Sequence, residues 1–378
     1  MGLLYPAILA FPFGCLYIFT GLIVNVIQAT CFVFIWPLSR SLFRRINGVV
    51  VQMLWLEFLF CLQWWAGIKV QLYTDSKTYK LLGKEHALII PNHRHDVDWL
   101  VVWTLAQYFG CLGSAPVISK DSSKFFPVLG WSTWFSDFVY LKRNWNKDEG
   151  VLKSSLQALK DFPRPFWLIF FVEGTRLTQK KLLAAQEYAA STGIHVPKNV
   201  LVPRTKGFVS TVKYIRSFVP AVYDVTLAVP KNVPPPSVKG MFSKQPSLVK
   251  VYIKRYPVEE LPKSDEGIAE WCRDRFVAKD AFLDTFLARG TFGDQKYYDI
   301  QPKKSLYVAI FWIGALLLSI YKLFQTCSPL SSWKGIGITT ATLFIVEMLM
   351  YVLLLSTQQE QSTPEKQAAS PKTSPNKE

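Results

Sequence analysis

Histidine is scarce in this sequence, and its cysteines are not paired. The 378 residues include four histidines and six cysteines, and no two cysteines form a C-x-x-C pair. Structural zinc sites and disulfide frameworks both need clustered ligands or thiols at characteristic spacings, so neither is indicated. Several cysteines lie in apolar runs, where a thiol behaves as a small buried hydrophobe, and we interpret all six as reduced and structural.

Acidic residues are also under-represented. Asp and Glu together number 27 against 43 Lys and Arg, which gives a formal net charge of +16 and a pI of about 9.5. This excess favours anionic partners such as lipid headgroups and phosphate groups. Nucleic acid is the alternative partner for a basic chain, but 50% of the residues are hydrophobic and none of the usual nucleic-acid motifs occurs. We therefore expect no nucleic-acid partner.

Long apolar segments lie near both ends of the chain. No charged residue occurs from Ala7 to Pro37, a stretch longer than the roughly 20 residues that a helix needs to cross hydrocarbon. Ser305–Tyr321 and Gly335–Leu355 form a second group. The former is short and the latter carries Glu347, so a tilted span or a hairpin that buries the carboxyl fits them. Val49–Val70 is apolar but interrupted by polar residues and rich in tryptophan, which favours a helix lying in the membrane interface.

Positive charges predict the orientation of these segments. Arg40, Arg44 and Arg45 follow the first apolar segment and no charged side chain precedes it, so the positive-inside rule places this loop in the cytosol and the amino terminus in the lumen. If the second helix stays in the interface, residues 73–302 remain cytosolic. The first segment lacks the basic n-region of a cleavable signal peptide. The polar tail 356–378 is predicted to be disordered, and to be cytosolic if two crossings lie between it and residue 302.

Between the membrane segments, apolar runs of strand length alternate with amphipathic ones. This alternation indicates an α/β class, with a mixed or largely parallel sheet flanked by helices. The predicted strands are Ala87–Pro91, Ala115–Ser119, Phe138–Leu141, Phe166–Val172, Pro220–Val229 and Leu248–Tyr256. The predicted helices are Asp96–Phe109, Asp148–Leu159, Gln179–Ala190, Phe208–Ser217 and Ile268–Leu287.

The domain organisation follows from these boundaries. Residues 1–72 hold the first membrane segment and the interfacial helix, and 303–355 hold the C-terminal membrane segments. No internal repeat is present, so we expect a single domain over 73–302. Its C-terminal subregion, about 237–302, follows a proline-rich loop at Pro230–Pro236.

A histidine stands five residues ahead of an aspartate just after the apolar run Ala87–Ile90. A carboxylate held against one nitrogen of an imidazole fixes its tautomer and stabilises the cation that forms on protonation, so His93 and Asp98 are a candidate general-base pair. The spacing alone is unspecific. On a regular helix, positions five apart point about 140° apart, so the two side chains can meet only across a turn or a frayed helix start. We therefore expect the site where a strand passes into a helix.

Metal binding is the alternative interpretation of this stretch. Four possible ligands lie within six positions: His93, His95, Asp96 and Asp98. A His-x-His site normally recruits further ligands from elsewhere, and the other two histidines of the chain have no ligand-like neighbours. We therefore expect no bound metal.

A second polar group follows the apolar run Phe166–Val172 and consists of Glu173, Gly174, Thr175 and Arg176. Glycine lets backbone approach a ligand closely and arginine presents a planar fork that suits phosphate oxygens, so this segment is a candidate phosphate clamp. Glu173 would repel a phosphate, and we expect it to orient Arg176. A plain surface ion pair at a strand end is the alternative.

Four blocks of the chain, in order, resemble those of the glycerolipid acyltransferases. They are His93–Asp98, Lys124–Trp131, Phe171–Arg176, and Val202–Phe208 followed by Val219–Tyr223. The resemblance runs from about residue 7 to about residue 351. It is greatest to the endoplasmic-reticulum 1-acylglycerol-3-phosphate (lysophosphatidic acid) acyltransferases of plants and their animal relatives. The four blocks are highly specific for the family and less so for the acceptor, because close relatives acylate other lysophospholipids.

The resemblance implies roles for particular residues. His93 would be the base and Asp98 its orienting partner. The substrate-binding residues that it implies are Lys124, Phe126, Pro127, Glu173, Gly174, Thr175, Arg176, Lys206, Gly207 and Pro220, with residues 173–176 at the acceptor phosphate. One position departs from the family, because His95 stands where a small polar residue is expected. On a helix His95 would point away from His93, and we assign it no role.

The implied reaction is acyl-CoA-dependent acylation of the sn-2 hydroxyl of lysophosphatidic acid, which gives phosphatidic acid. His93 would take the hydroxyl proton as the oxygen attacks the thioester directly, and no cofactor is needed because acyl-CoA is a substrate. The expected partners are acyl-CoA, a lysophospholipid and membrane lipid. The expected location is the endoplasmic-reticulum membrane, multi-pass, with the catalytic domain cytosolic. The alternatives are another lysophospholipid acceptor, a non-catalytic lipid-binding membrane protein and a membrane metallohydrolase.

Overall fold

The computed structural model describes residues 4–293 and 297–362. The helices in these ranges are α1 (Leu4–Phe34), α2 (Arg40–Phe60), α3 (Ser76–Leu81), α4 (Asp98–Tyr108), α5 (Leu129–Trp134), α6 (Trp145–Gln157), α7 (Gln179–Thr192), α8 (Thr205–Ile215), α9 (Val238–Phe242), α10 (Asp265–Arg289), α11 (Lys304–Cys327) and α12 (Trp333–Ser362). The strands are β1 (Ile68–Tyr73), β2 (Ala87–Pro91), β3 (Ile118–Lys120), β4 (Val139–Leu141), β5 (Trp167–Ile169), β6 (Ala221–Ala228), β7 (Ser247–Pro257) and β8 (Tyr297–Asp299).

A six-stranded mixed sheet, in the order β5-β2-β6-β7-β1-β8, forms the centre of the fold. Strand β2 pairs in parallel with both β5 and β6, and β7 runs antiparallel to β6. Strands β3 and β4 form a separate parallel pair that lies beyond β5, where Val117 bridges to Ile169. The predicted α/β class with a mixed sheet is confirmed.

Strand β2 is covered on both faces, which explains its uninterrupted apolar sequence. Ala87 and Ile89 join the apolar cluster that includes residues of α2 and α4. Leu88 and Ile90 join the cluster on the opposite face, with residues of α6, α8 and α10. This alternation is the period of two that a strand imposes. The strand therefore delivers the residues after Pro91 to one edge of a rigid sheet.

The predicted strands and helices between the membrane segments are all present, with shifted boundaries. Two strands were missed. The sequence analysis included the start of β1 in the apolar segment Val49–Val70, which was predicted to be one helix. The helix in fact ends in a π-helical turn at Cys61–Trp65, and Gly67 then has a φ of +73°. Hydrophobicity alone does not show this change, because helix and strand are both buried. The other missed strand, β8, is only three residues long.

Four helices are long and apolar enough to cross a membrane: Tyr5–Phe34, Arg40–Trp65, Lys304–Cys327 and Trp333–Val352. The predicted N-terminal and C-terminal membrane helices are therefore present. The second helix begins earlier than predicted and packs against α1, α4 and α11. Its placement in the membrane interface stays a prediction. Residues 356–362 continue α12, so this part of the predicted disordered tail is helical, while 363–378 lie outside the described residues.

Candidate active site

Residues 92–97 link β2 to α4, so the candidate base stands where a strand passes into a helix, as predicted. Asn92 is fully buried and fixes the start of this loop to the neighbouring strand β6. Its side-chain amide donates to the Leu227 carbonyl at 3.0 Å and accepts from the Leu227 N–H at 2.8 Å. His93 therefore lies at the carboxyl edge of the parallel strands, where ligands of open α/β sheets commonly bind.

The His93 imidazole and the Asp98 carboxylate are in contact, with Nδ1 3.1 Å from Oδ2. The same oxygen accepts the backbone N–H groups of Arg94 at 2.6 Å and His95 at 2.8 Å. Burial opposes ionisation of Asp98, which is 1% exposed, but the hydrogen bonds from the two histidines outweigh it and hold the pKa of this carboxyl well below its usual range. Asp98 is therefore a fixed negative charge at the imidazole.

A second imidazole faces the same carboxylate. His95 Nδ1 lies 3.4 Å from Asp98 Oδ1. The expectation that His95 points away from His93 assumed a helix, but residues 92–97 are not helical and both rings contact Asp98. Within the described ranges, no group of three or more His, Cys, Asp or Glu side chains is arranged to hold a metal.

Glu173 holds the backbone of His93. Its Oε1 accepts the His93 N–H at 2.8 Å and its Oε2 accepts the Leu201 N–H at 2.9 Å. The Leu177 N–H donates to the His93 carbonyl at 2.7 Å, so the 173–177 loop fixes His93 from both sides. Burial raises the pKa of Glu173 to about 7, although the two backbone hydrogen bonds oppose the shift. Glu173 thus has a backbone-holding role that the sequence did not indicate, and its predicted orientation of Arg176 stays a prediction.

Arg176 lies near Asp96, with Nη1 3.6 Å from Oδ2. Asp96 also accepts the backbone N–H of Val238 at 3.1 Å, which ties the start of α9 to the loop that carries His93. Burial raises the pKa of Asp96, and the Arg176 guanidinium works against that shift. Arg176 is 6% exposed, so the surrounding side chains hold its guanidinium group at a fixed position in the site.

Three further cations lie at Gly174 and Thr175, and the sequence indicated a role for none of them. Arg143 Nη2 donates to the Gly174 carbonyl at 2.8 Å, and Lys181 Nζ donates to Thr175 Oγ1 at 2.5 Å. The Arg204 side chain is so close that a Cβ on Gly174 would lie 2.8 Å from its Cδ. Gly174 has a φ of +71°, which glycine adopts without strain. The segment thus sits within a ring of positive charge.

The second block contacts helix α1 and lines a groove. Lys124 Nζ is 2.7 Å from Asp121 Oδ1 and lines a groove of about 450 Å³, together with Lys142 and Lys147. Phe126 is partly exposed. The carbonyl of Pro127 accepts a hydrogen bond from Tyr17 on α1. These residues are close to the membrane helices, which suits a lipid acceptor.

Three residues of the last block have an implied binding role: Lys206, Gly207 and Pro220. Lys206, at the start of α8, places Nζ 5.3 Å from the centre of the Trp145 ring, and Gly207 packs against Phe170. Pro220 precedes β6, and the register pairs Ala221 with Ala87 at the start of β2. Pro220 therefore lies at the opposite end of the sheet from His93. The substrate-binding role that the resemblance implies for Pro220 stays a prediction, and the register places that residue away from the base.

Comparison with known proteins places this arrangement in a family. The Acyltransferase family matches residues 68–229, and the Acyltransferase C-terminus family matches residues 240–312. The chain is 54% identical to 1-acyl-sn-glycerol-3-phosphate acyltransferase 2 of Arabidopsis thaliana, over 94% of this chain and 92% of that protein. It is 34% identical to 1-acyl-sn-glycerol-3-phosphate acyltransferase gamma of Homo sapiens, over 90% and 91% respectively.

Among solved structures, the 1-acyl-sn-glycerophosphate (LPA) acyltransferase of Thermotoga maritima aligns with a TM-score of 0.40 and 14% identity, covering 71% of this chain and 97% of that one. The sequence identities to the plant and human proteins extend over nearly the whole of each chain. The protein therefore belongs to the family of the 1-acyl-sn-glycerol-3-phosphate acyltransferases.

Proposed function

We propose that this protein transfers an acyl group from acyl-CoA to the sn-2 hydroxyl of lysophosphatidic acid, at the endoplasmic-reticulum membrane. The names of its relatives support the acceptor. The contact between His93 Nδ1 and Asp98 Oδ2 is the observation that carries the mechanism. Because Nδ1 faces the carboxylate, Nε2 is the nitrogen available to the substrate.

In the proposed reaction, Nε2 of His93 accepts the proton of the acceptor hydroxyl as its oxygen attacks the thioester carbonyl. The tetrahedral intermediate then collapses, the C–S bond breaks, and the imidazolium returns the proton to the leaving CoA thiolate. Asp98 stabilises the imidazolium between these steps and keeps the proton of the neutral ring on Nδ1. Base catalysis of this kind contributes about 10²–10⁴-fold to the rate.

Glu173 acts on this reaction through the backbone of His93. A base must lie within hydrogen-bond reach of the proton that it removes, and small displacements are costly. The contacts of Glu173 and Leu177 with the N–H and carbonyl of His93 limit movement of the ring along the sheet edge. Glu173 is therefore a positioning residue, and in this proposal it does not contact phosphate.

Arg176 binds the acceptor phosphate, and Arg143 and Arg204 support it. Both reactants are anionic, and the guanidinium forks match phosphate oxygens. The positive charge around Gly174 favours a phosphate within reach of the base, since one loop carries both Gly174 and the contacts to His93. Acyl-CoA is a substrate in this proposal, and no resident cofactor takes part.

Purified protein assayed with oleoyl-CoA against a panel of lysophospholipids tests the proposal. We expect phosphatidic acid from lysophosphatidic acid at a kcat/KM well above that for lysophosphatidylcholine, lysophosphatidylethanolamine or lysophosphatidylinositol. Turnover should survive exhaustive chelation. Preference for another lysophospholipid would overturn the acceptor assignment. Activity lost to chelators and restored by stoichiometric zinc would overturn the assignment of His93 as the base.

A further inference from the structure

The second block contains a strained turn. Val128 has φ +64° and ψ −63°, and the Leu129 N–H donates to the Pro127 carbonyl at 2.7 Å. These values and this hydrogen bond define a γ-turn of the rare, strained kind. A β-branched residue is disfavoured at positive φ, so Val128 keeps this conformation only if its surroundings impose it.

Helix α1 supplies those surroundings through Tyr17. The phenolic hydroxyl donates to the Pro127 carbonyl at 2.7 Å and accepts the Leu129 N–H at 2.9 Å. One hydroxyl therefore binds both ends of the turn, and the Leu129 N–H is shared between the turn and the tyrosine. The contact spans more than a hundred residues of sequence, so it joins two otherwise independent parts of the chain.

One helical turn further along α1, Gly21 provides the space for the Val128 side chain. Val128 is 2% exposed. A Cβ on Gly21 would overlap Val128 Cγ1, and its three nearest heavy atoms would all belong to Val128. Tyr17 and Gly21 thus hold the backbone and the side chain of the same residue.

The turn determines where Lys124 lies. It folds Gly130 back over the start of the block, so that a Cβ on Gly130 would lie 2.5 Å from the Lys124 carbonyl oxygen. The Gly130 N–H also donates to the Phe126 carbonyl at 2.8 Å. Relaxation of Val128 to negative φ would therefore shift the backbone that carries Lys124.

We propose that helix α1 holds the second block in its strained conformation, so that Tyr17 is a positioning residue for acceptor binding. This inference rests on the proposed function and on the binding role that the family resemblance implies for Lys124, Phe126 and Pro127, which we assign here to the lysophospholipid. It means that the lipid-embedded helix sets the place of the acceptor-binding loop. Tyr17 does not touch the reacting atoms.

The Tyr17→Phe variant tests the hydrogen bonds, and Tyr5→Phe, on the same helix and 58% exposed, is the matched control. We expect Tyr17→Phe to raise the KM for lysophosphatidic acid about tenfold, the loss expected for two modest hydrogen bonds, with the KM for acyl-CoA and the kcat changed much less. Tyr5→Phe should behave as wild type. Equal behaviour of the two variants would overturn the proposal.

Glycine at position 128 distinguishes positioning from general stability. Glycine adopts positive φ without strain, so Val128→Gly should restore most of the acceptor KM in the Tyr17→Phe background. As a single variant, Gly21→Ala should raise the KM for the acceptor. Val128→Gly in the same chain should suppress that effect, because it removes the side-chain atoms that the new Cβ would overlap. Additive losses in both double variants would contradict the inference. If wild-type protein fails to acylate lysophosphatidic acid, the proposed function fails instead.

Discussion

Replacing Asp98 by asparagine removes the charge beside His93 while it preserves the shape of the side chain. The amide oxygen can occupy the position of Oδ2 and still accept from Arg94 and His95. The amide nitrogen takes the place of Oδ1, which lies 3.4 Å from His95 Nδ1, so the variant removes the negative charge beside both imidazoles. The variant therefore isolates the electrostatic part of the proposed mechanism.

The expected magnitude follows from the distance. Two unit charges 3.1 Å apart interact by about 5 kcal/mol at an effective dielectric constant of about 20. The imidazolium charge is only partly developed in the transition state, so Asp98 stabilises the transition state by about half to nearly all of this interaction energy. We expect kcat to fall about 10²–10⁴-fold, which is also the range for loss of general-base catalysis.

The chain provides a matched control at Asp280. This aspartate is also buried and accepts from a histidine, His195, at 3.0 Å, and from the backbone N–H groups of Lys198 and Asn199. An asparagine oxygen in the place of Oδ1 still accepts from Lys198 and Asn199, but the charged acceptor becomes a neutral one, and such hydrogen bonds are about half as strong. Asp280→Asn should lower the melting temperature and keep kcat.

The assay is kcat of detergent-purified protein at saturating oleoyl-CoA and lysophosphatidic acid, paired with thermal unfolding of each variant. We expect Asp98→Asn to be folded and nearly inactive, and Asp280→Asn to be less stable and active. A kcat for Asp98→Asn within threefold of wild type would refute the electrostatic argument. Equal loss of kcat in both variants would show that the effect is structural.

Three further predictions concern the phosphate site, pH and topology. Arg176→Ala should lower kcat/KM for lysophosphatidic acid by at least tenfold and that for acyl-CoA much less, with partial rescue by lysine; the opposite pattern would move this loop to the donor site. Glu173, whose pKa is raised to about 7, takes up a proton as the pH falls through 7, so kcat/KM should fall. As the pH falls through 7, the free energy of unfolding of the wild type should rise relative to that of Glu173→Gln. The reason is that the folded wild type binds the proton more tightly than the unfolded chain does. A cysteine label at Pro230–Pro236 should react from outside sealed microsomes, and labelling only after permeabilisation would contradict the cytosolic assignment.

The strand-to-helix position of the site was predictable because its signals are local. An uninterrupted apolar run marks a strand buried on both faces, and the spacing of His93 and Asp98 excludes a regular helix between them. Both features were confirmed in β2 and the loop after it. The boundary of β1 was not predictable, because an apolar helix leads into an apolar strand and only Gly67 separates them.

The partners of the site were less predictable because they come from distant parts of the chain. Arg143 and Arg204 reach Gly174 only through the packing of β4 and α8 around the sheet, and no sequence spacing links them. The contacts of Glu173 with two backbone N–H groups were not predictable either, because the sequence shows only its proximity to Arg176. The position of Pro220 was not predictable, because only the register of the parallel strands puts the start of β6 at the opposite edge from His93.

The most direct test of the central claim is the kcat of His93→Ala at saturating oleoyl-CoA and lysophosphatidic acid, measured beside His195→Ala. Both histidines contact a buried aspartate, at 3.1 and 3.0 Å, but only His93 lies at the proposed site. The account predicts a loss of about 10²–10⁴-fold for His93→Ala, with membrane insertion and folding intact, and near-normal kcat for His195→Ala. Near-normal turnover of folded His93→Ala would contradict the assignment of His93 as the general base.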